Sequence, residues 1–233
     1  MNILAVGAHP DDIEFGCAHV LLKETRKGNR VKYLVLSKGE AGSHGTSDNR
    51  EAEARAAAKI GGAEIEFLDF GGDCNMERVP DNAFKLAVEI RKFQAAIVLA
   101  PHYDENQHPD HAVAGQLTRD ACRFARYAGL DALKGFSAEA NAHAVSALYF
   151  YGITKEFGTP DVVIDVSPVA DDWIKAMECH ASQMRTRGYV DQRIAAARHL
   201  GLSIGVEHAA GLYANDPIRV DALSELTLSS HHF

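Results

Sequence analysis

The chain has 233 residues, 46% hydrophobic and 24% charged, which is enough for one large domain with a full core and excludes a disordered polymer. A formal net charge of −8 leaves no basic stripe to replace phosphate counterions, so nucleic acid and anionic membrane are excluded as partners and a small molecule is the default. No apolar run reaches the length of a membrane span, and Met1 leads straight into a strand pattern, so a cytoplasmic location is expected.

Asn2 to Val6 is short, apolar and stopped by Gly7 and Pro10, the pattern of a buried strand that delivers His9-Pro10-Asp11-Asp12 to a sheet edge. Glu14 to Lys27 then reads as one helix closed by Gly28, and Val31 to Leu36 as the second strand, completing a βαβ unit. The loop from Lys38 to Ser47 leaves that strand on the same side as His9. Asp48 and Glu51 form a capping-box pattern for an Ala-rich helix to about Ile60. Arg50 lies in its first turn, where a cation is disfavoured; an anion partner and a solvated surface position explain it equally well.

Glu64 to Asp69 alternates as a third strand, Pro80 to Phe93 is a helix, and Ala95 to Ala100 is a fully apolar fourth strand. It delivers a second polar cluster, His102 to His111, before a helix over Ala112 to Tyr127. Val145 to Tyr151 and Val162 to Val166 read as further strands, Pro168 to Met184 and Asp191 to Leu202 as the last helices. The fold class is therefore α/β, a Rossmann-like, mostly parallel sheet with helices on both faces. One domain spans residues 1–233, its core roughly 1–130 and a small C-terminal α/β elaboration roughly 131–233.

The four cysteines are scattered, giving neither a disulfide framework nor a Cys-x-x-Cys site. The His and Asp clusters are different. Each alone reads as a helix cap or a surface pair, but both fall at the carboxyl ends of strands, where open α/β sheets bind ligands. His9, Asp12 and His111 make a His, Asp, His set suited to Zn2+, with Fe2+ or another divalent transition metal also compatible. Asp11, adjacent to a ligand and aimed elsewhere, is then the general base. His108 is expected to stabilise an oxyanion or protonate the leaving amine, with Asp110 orienting it or capping the next helix. Tyr189 and the loop from Gly39 to Ser47 are candidates for closing over a substrate. No Gly-x-Gly-x-x-Gly, phosphate-cradling Gly-Lys-Ser/Thr or Gly-x-Ser-x-Gly occurs, so nucleotide binding is an alternative without a motif.

With Gly7-Ala8-His9-Pro10-Asp11-Asp12-Ile13-Glu14 and His108-Pro109-Asp110-His111, the sequence resembles the LmbE-like (PIG-L) zinc-dependent deacetylases of N-acetyl sugars. Within them it looks most like the bacillithiol-biosynthesis type, which acts on N-acetylglucosaminyl malate. The resemblance implies zinc on His9, Asp12 and His111, Asp11 as base, His108 as electrophile or acid, and Arg50 as a substrate-binding group. It also implies a homo-oligomer, a trimer or hexamer, and an N-acetyl amino sugar as the small-molecule partner. Cys17 to Val20, Gln107 and His208 to Ala210 depart from the family's pattern, which leaves another amino sugar or amide, or a non-catalytic sugar-binding paralogue, as alternatives.

Overall fold

The computed structural model describes residues 1–104, 108–136, 140–185, 187–226 and 229. Gln107 and the tail beyond residue 229 lie outside the described residues. The elements in chain order are β1 (Asn2–Gly7), α1 (Asp12–Gly16), α2 (Ala18–Arg26), β2 (Arg30–Val35), α3 (Ser47–Gly61), β3 (Glu64–Phe67), α4 (Pro80–Phe93), β4 (Ile97–Pro101), α5 (Pro109–Ala125), β5 (Ala147–Tyr151), β6 (Val162–Asp165), α6 (Ala170–Glu178), α7 (Tyr189–Ile204) and β7 (Ala209–Ala214).

Among the described residues seven strands form one sheet in the order β3-β2-β1-β4-β5-β7-β6. The pairings from β3 to β5 are parallel, while β7 is antiparallel to both β5 and β6. Alternation along the strands divides the core between two faces. Leu4, Val6, Leu34 and Leu36 pack with α4 and α5, whereas Ile3, Ala5, Tyr33 and Val35 pack with α2, α6 and α7. The expected α/β sheet with helices on both faces is what the chain forms. No helix among the described residues is long and apolar enough to cross a membrane.

Several boundaries differ from the sequence pattern, each for a local reason. The helix expected over Glu14 to Lys27 is two helices, broken at Cys17, whose φ of −144° is not helical. Gly16 is the last residue of the first, and a Cβ there would overlap the Tyr151 ring. Thr46, not Asp48, caps α3, its hydroxyl accepting from the Asn49 N–H at 3.2 Å. Helix α5 starts three residues before Ala112, with Pro109 at its first position, where a missing N–H costs nothing. The single amphipathic segment over Pro168 to Met184 shortens to α6, which buries Trp173 and Met177. Strand β7 has no counterpart in the sequence reading, because Ala209-Ala210-Gly211-Leu212-Tyr213-Ala214 neither alternates nor carries β-branched residues.

Candidate metal centre and active site

β1 and β4 are neighbours, but the sheet grows from β1 towards β2 and from β4 towards β5. The strand order reverses between them, and beyond their carboxyl ends the two connections part and leave a crevice. His9 to Asp12 enters it from β1 and His108 to His111 from β4.

The first turn is pinned by its own aspartate. Asp12 Oδ2 accepts from the His9 N–H at 2.9 Å, which leaves Oδ1 to meet His111 Nε2 at 3.0 Å. His111 is the third residue of α5, so the helix start fixes where it points. His108 caps that helix, its Nδ1 accepting from the Asp110 N–H at 3.2 Å. In the neutral ring Nδ1 is thus the acceptor, and Nε2 is the nitrogen that carries the hydrogen. His9, Asp12 and His111 are buried, and each offers one ligand atom, all within 4.8 Å of one another.

The charge in this crevice calls for a cation. Asp12, Asp73 and Asp110 are buried around one imidazole, and Asp11 borders them. Burial opposes charge on His9, but Asp12, Asp110 and Asp73 outweigh it and hold the ring well above the usual imidazole range. Burial likewise raises Asp12, while His111 and His9 together drive it well below the carboxylate range. Two imidazole nitrogens and a carboxylate, poised by excess buried acid, fit a divalent transition ion by donor type and charge. Burial, reinforced by neighbouring His9, pushes His108 down, which favours a neutral hydrogen-bond donor over a precharged acid.

Arg50 is buried rather than solvated, which removes the surface alternative. Its Nη1 donates to the Gly39 carbonyl at 3.0 Å and its Nη2 to Asp11 Oδ1 at 3.3 Å. The loop after β2 wraps the guanidinium so tightly that a Cβ on Gly39 would overlap it; Gly39 has φ of +67°. Asp11, Arg50, His9, Asp12, His108, His111 and Tyr189 all line one cavity of about 270 Å³, together with Ala41 to Ser43, Ile153, Thr154 and Gln183. The structure therefore brings the sequence-selected residues to one place, with one exception in role. The Asp110 carboxylate does not hold His108: its Oδ2 is 3.9 Å from His108 Nδ1, but accepts from the Cys74 N–H at 2.8 Å and lies 3.3 Å from His9 Nε2, while the Asp110 N–H meets His108 Nδ1.

Sequence reasoning missed Asp73 and Cys74, on the loop after β3. Asp73 Oδ1 is 3.2 Å from His9 Nε2 and 3.7 Å from His108 Nε2, and both residues line the cavity. The signal available was Asp73 at the end of a Gly-Gly turn following a strand of the parallel sheet. It also missed the pairing of Glu14 with His180 beneath the site, both buried and 3.3 Å apart.

The model of the GlcNAc-PI de-N-acetylase (PIG-L) family matches residues 4–122, which include both clusters. The chain belongs to the PIG-L family. Across an alignment of 198 residues it is 31% identical to the diacetylchitobiose deacetylase of Thermococcus kodakarensis, covering 78% of this chain and 70% of that one. It is 28% identical to the 4-oxalmesaconate hydratase of Pseudomonas putida, covering 93% of this chain and 90% of that one. A conserved protein of Thermus thermophilus, TT1542, has the same fold, with a TM-score of 0.81 at 29% identity over 94% of this chain and 96% of that structure. In this PIG-L chain the family match covers β1 to most of α5, the part that supplies every residue of the His9, Asp12 and His111 group.

Proposed function

We propose that this PIG-L chain is a zinc-dependent N-deacetylase that hydrolyses the acetamide of an N-acetylglucosamine-type small molecule to acetate and a free amine. The observation that carries the reading is the convergence of His9, Asp12 and His111 with Asp11 and His108 on one cavity at the strand-order reversal. The diacetylchitobiose deacetylase relative supports the same chemistry.

His9, Asp12 and His111 would hold the metal, which supplies Lewis acidity to the acetamide carbonyl and to water. Asp11 takes a proton from the water that attacks the carbonyl carbon, and Arg50 fixes the direction of its carboxylate. His108 Nε2–H donates to the oxygen that becomes negative as the tetrahedral carbon forms. The proton held on Asp11 then passes to the sugar nitrogen as the C–N bond breaks, so that the amine leaves neutral together with acetic acid, whose remaining proton goes to water or to the amine to give acetate.

The lining narrows the substrate. Among the described lining residues Arg50 is the sole Lys or Arg, and both ends of its guanidinium are engaged. N-acetylglucosaminyl malate, the conjugate suggested by the sequence resemblance, adds two carboxylates to a cavity already holding Asp11, Asp12 and Asp73. Neutral N-acetyl sugars are therefore the better expected substrates. A second reading, addition of water to a carbon–carbon double bond, draws on the hydratase relative, whose alignment covers more of both chains.

The test is acetate release by the zinc-loaded protein from N-acetylglucosamine, diacetylchitobiose and N-acetylglucosaminyl malate, with and without chelator, beside an Asp11→Asn variant. Chelator-sensitive release that falls at least about 100-fold in Asp11→Asn while zinc stays bound is expected, the loss typical of a missing general base. Full activity in the variant refutes the base, and hydration of an unsaturated acid without acetate release from any amide refutes the deacetylase.

A further inference from the structure

We propose that Asp73 is a positioning residue for His9, fixing the tautomer and ring direction in which His9 meets the metal; the inference rests on the metal reading above. The His9 ring faces carboxylates on both sides. Its Nδ1 lies 3.6 Å from Asp12 Oδ2, on the side of the proposed ligand set, and its Nε2 lies 3.2 Å from Asp73 Oδ1 and 3.3 Å from Asp110 Oδ2. With a metal on Nδ1, the one proton left on the ring belongs on Nε2, where the ionised carboxylates of Asp73 and Asp110 can only accept it. Metal-bound histidines are held this way, through the second ring nitrogen.

Of the two carboxylates on Nε2, Asp110 Oδ2 meets it at 3.3 Å and also accepts from the Cys74 N–H at 2.8 Å, a bond that ties the loop to α5, while Asp73 Oδ1 lies nearer, at 3.2 Å. Asp73 is the second carboxylate on that nitrogen, and the loop after β3 presents it to the ring. Its N–H donates to Glu40 Oε2 at 3.0 Å, and the Cys74 thiol donates to its Oδ1 at 3.4 Å, so main chain and carboxylate are both fixed. The backbone that makes this presentation is unusual. Gly71, Gly72 and Cys74 have φ of +98°, +85° and +66°, and Cys74 is one of two non-glycine residues with positive φ among those described. A side chain held in that conformation persists where its surroundings over-determine it, and such positions concentrate at functional sites. Here the surroundings are Asp110 on the amide and His108 at 3.6 Å from the thiol.

The experiment measures Zn2+ affinity of the full chain by competition with a chromophoric chelator, for wild type, D73N, D73S and H9A, with metal-free thermal melts of each. D73N and D73S are expected to melt like wild type without metal and to bind Zn2+ about 10–100-fold more weakly. In the zinc-loaded wild type, side-chain 1H–15N spectra should show His9 protonated at Nε2, with a downfield proton that shifts upfield in D73N. A purely structural Asp73 would not move that resonance. Wild-type affinity in D73N and D73S together with loss of zinc in H9A overturns the role of Asp73 alone. Wild-type affinity in H9A as well overturns the metal assignment beneath it.

Discussion

Replacing Arg50 with Ala tests whether the loop after β2 and the carboxylate of Asp11 are organised by one guanidinium. The side chain of Arg50 is 6% exposed and that of Asp11 17%. Removing one partner of a buried ion pair costs about 3–5 kcal/mol. Asp11 retains some contact with water, which takes over part of the lost solvation and sets the expectation at the lower end, about 3 kcal/mol. In a chain of this size each kcal/mol moves the thermal midpoint by about 2–4 °C, so Arg50→Ala should melt about 6–12 °C lower. Arg50→Lys keeps the charge but cannot reach Gly39 and Asp11 as a planar fork does, so it should recover only part of the loss. Both variants should retain zinc while acetate release falls, since neither removes a metal-ligand candidate. The assay is a thermal melt at constant metal alongside the acetate measurement. A midpoint lowered by less than about 2 °C in Arg50→Ala would mean that the pair contributes no more than an exposed salt bridge.

Two further outcomes follow from the packing and from a buried titrating group. Gly115 lies on α5, four residues after His111, and a Cβ there would overlap the Pro101 carbonyl and crowd the Tyr103 backbone, neither of which can swing aside. Gly115→Ala should therefore destabilise by about 1–3 kcal/mol despite Ala's better helix propensity, read as a lower melting point; a stabilised variant would refute that closeness. His19 is stacked on Trp173 at 4.2 Å, and burial, with the charge of Arg193 adding to it, pushes its imidazole down to about 3. In the unfolded chain it titrates near 6.5, so between those values the unfolded state binds the extra proton and stability falls as pH falls, by up to about 1.4 kcal/mol per unit. His19→Gln should flatten the acid limb of the stability curve in denaturant titrations between about pH 6 and pH 4; an unchanged slope would assign that limb to other groups.

The residues that reveal themselves in the sequence are those whose neighbours in space are also neighbours in the chain. His9, Asp11 and Asp12 share one turn, and His108, Asp110 and His111 one helix start, so their grouping is visible before any folding is considered. The alternation and apolar runs of β1, β2 and β4 are equally plain, because each is buried by helices on both faces. What stays hidden depends on contacts across the sheet. Asp73 looks like an ordinary loop acid until the segment after β3 folds back over the end of β1 and brings it to His9. The close approach of the Tyr151 ring to Gly16, beside the break at Cys17, is likewise invisible in the sequence; its hydroxyl is anchored on the Val6 carbonyl at 2.6 Å. Spacing along the chain pairs Asp110 with its near neighbour His108, whereas the tertiary arrangement gives it to His9 and to Cys74. Local spacing shows the main-chain contact with His108 and hides where the carboxylate goes.

The placement of β7 between β5 and β6 has a consequence for how the chain reaches this state. β6 precedes β7 by some forty residues, yet among the described residues its one strand neighbour is β7. During synthesis from the N-terminus, β1 to β5 have all their parallel partners once Tyr151 has emerged, and both halves of the crevice are in place with them. β6 then waits as an unpaired segment until Ala209 to Ala214 arrives and closes against β5 and β6 together. The last of the described strands to be made is thus the one that joins β6 to the sheet, and a chain truncated before residue 209 would leave β6 with an open edge able to pair with other molecules.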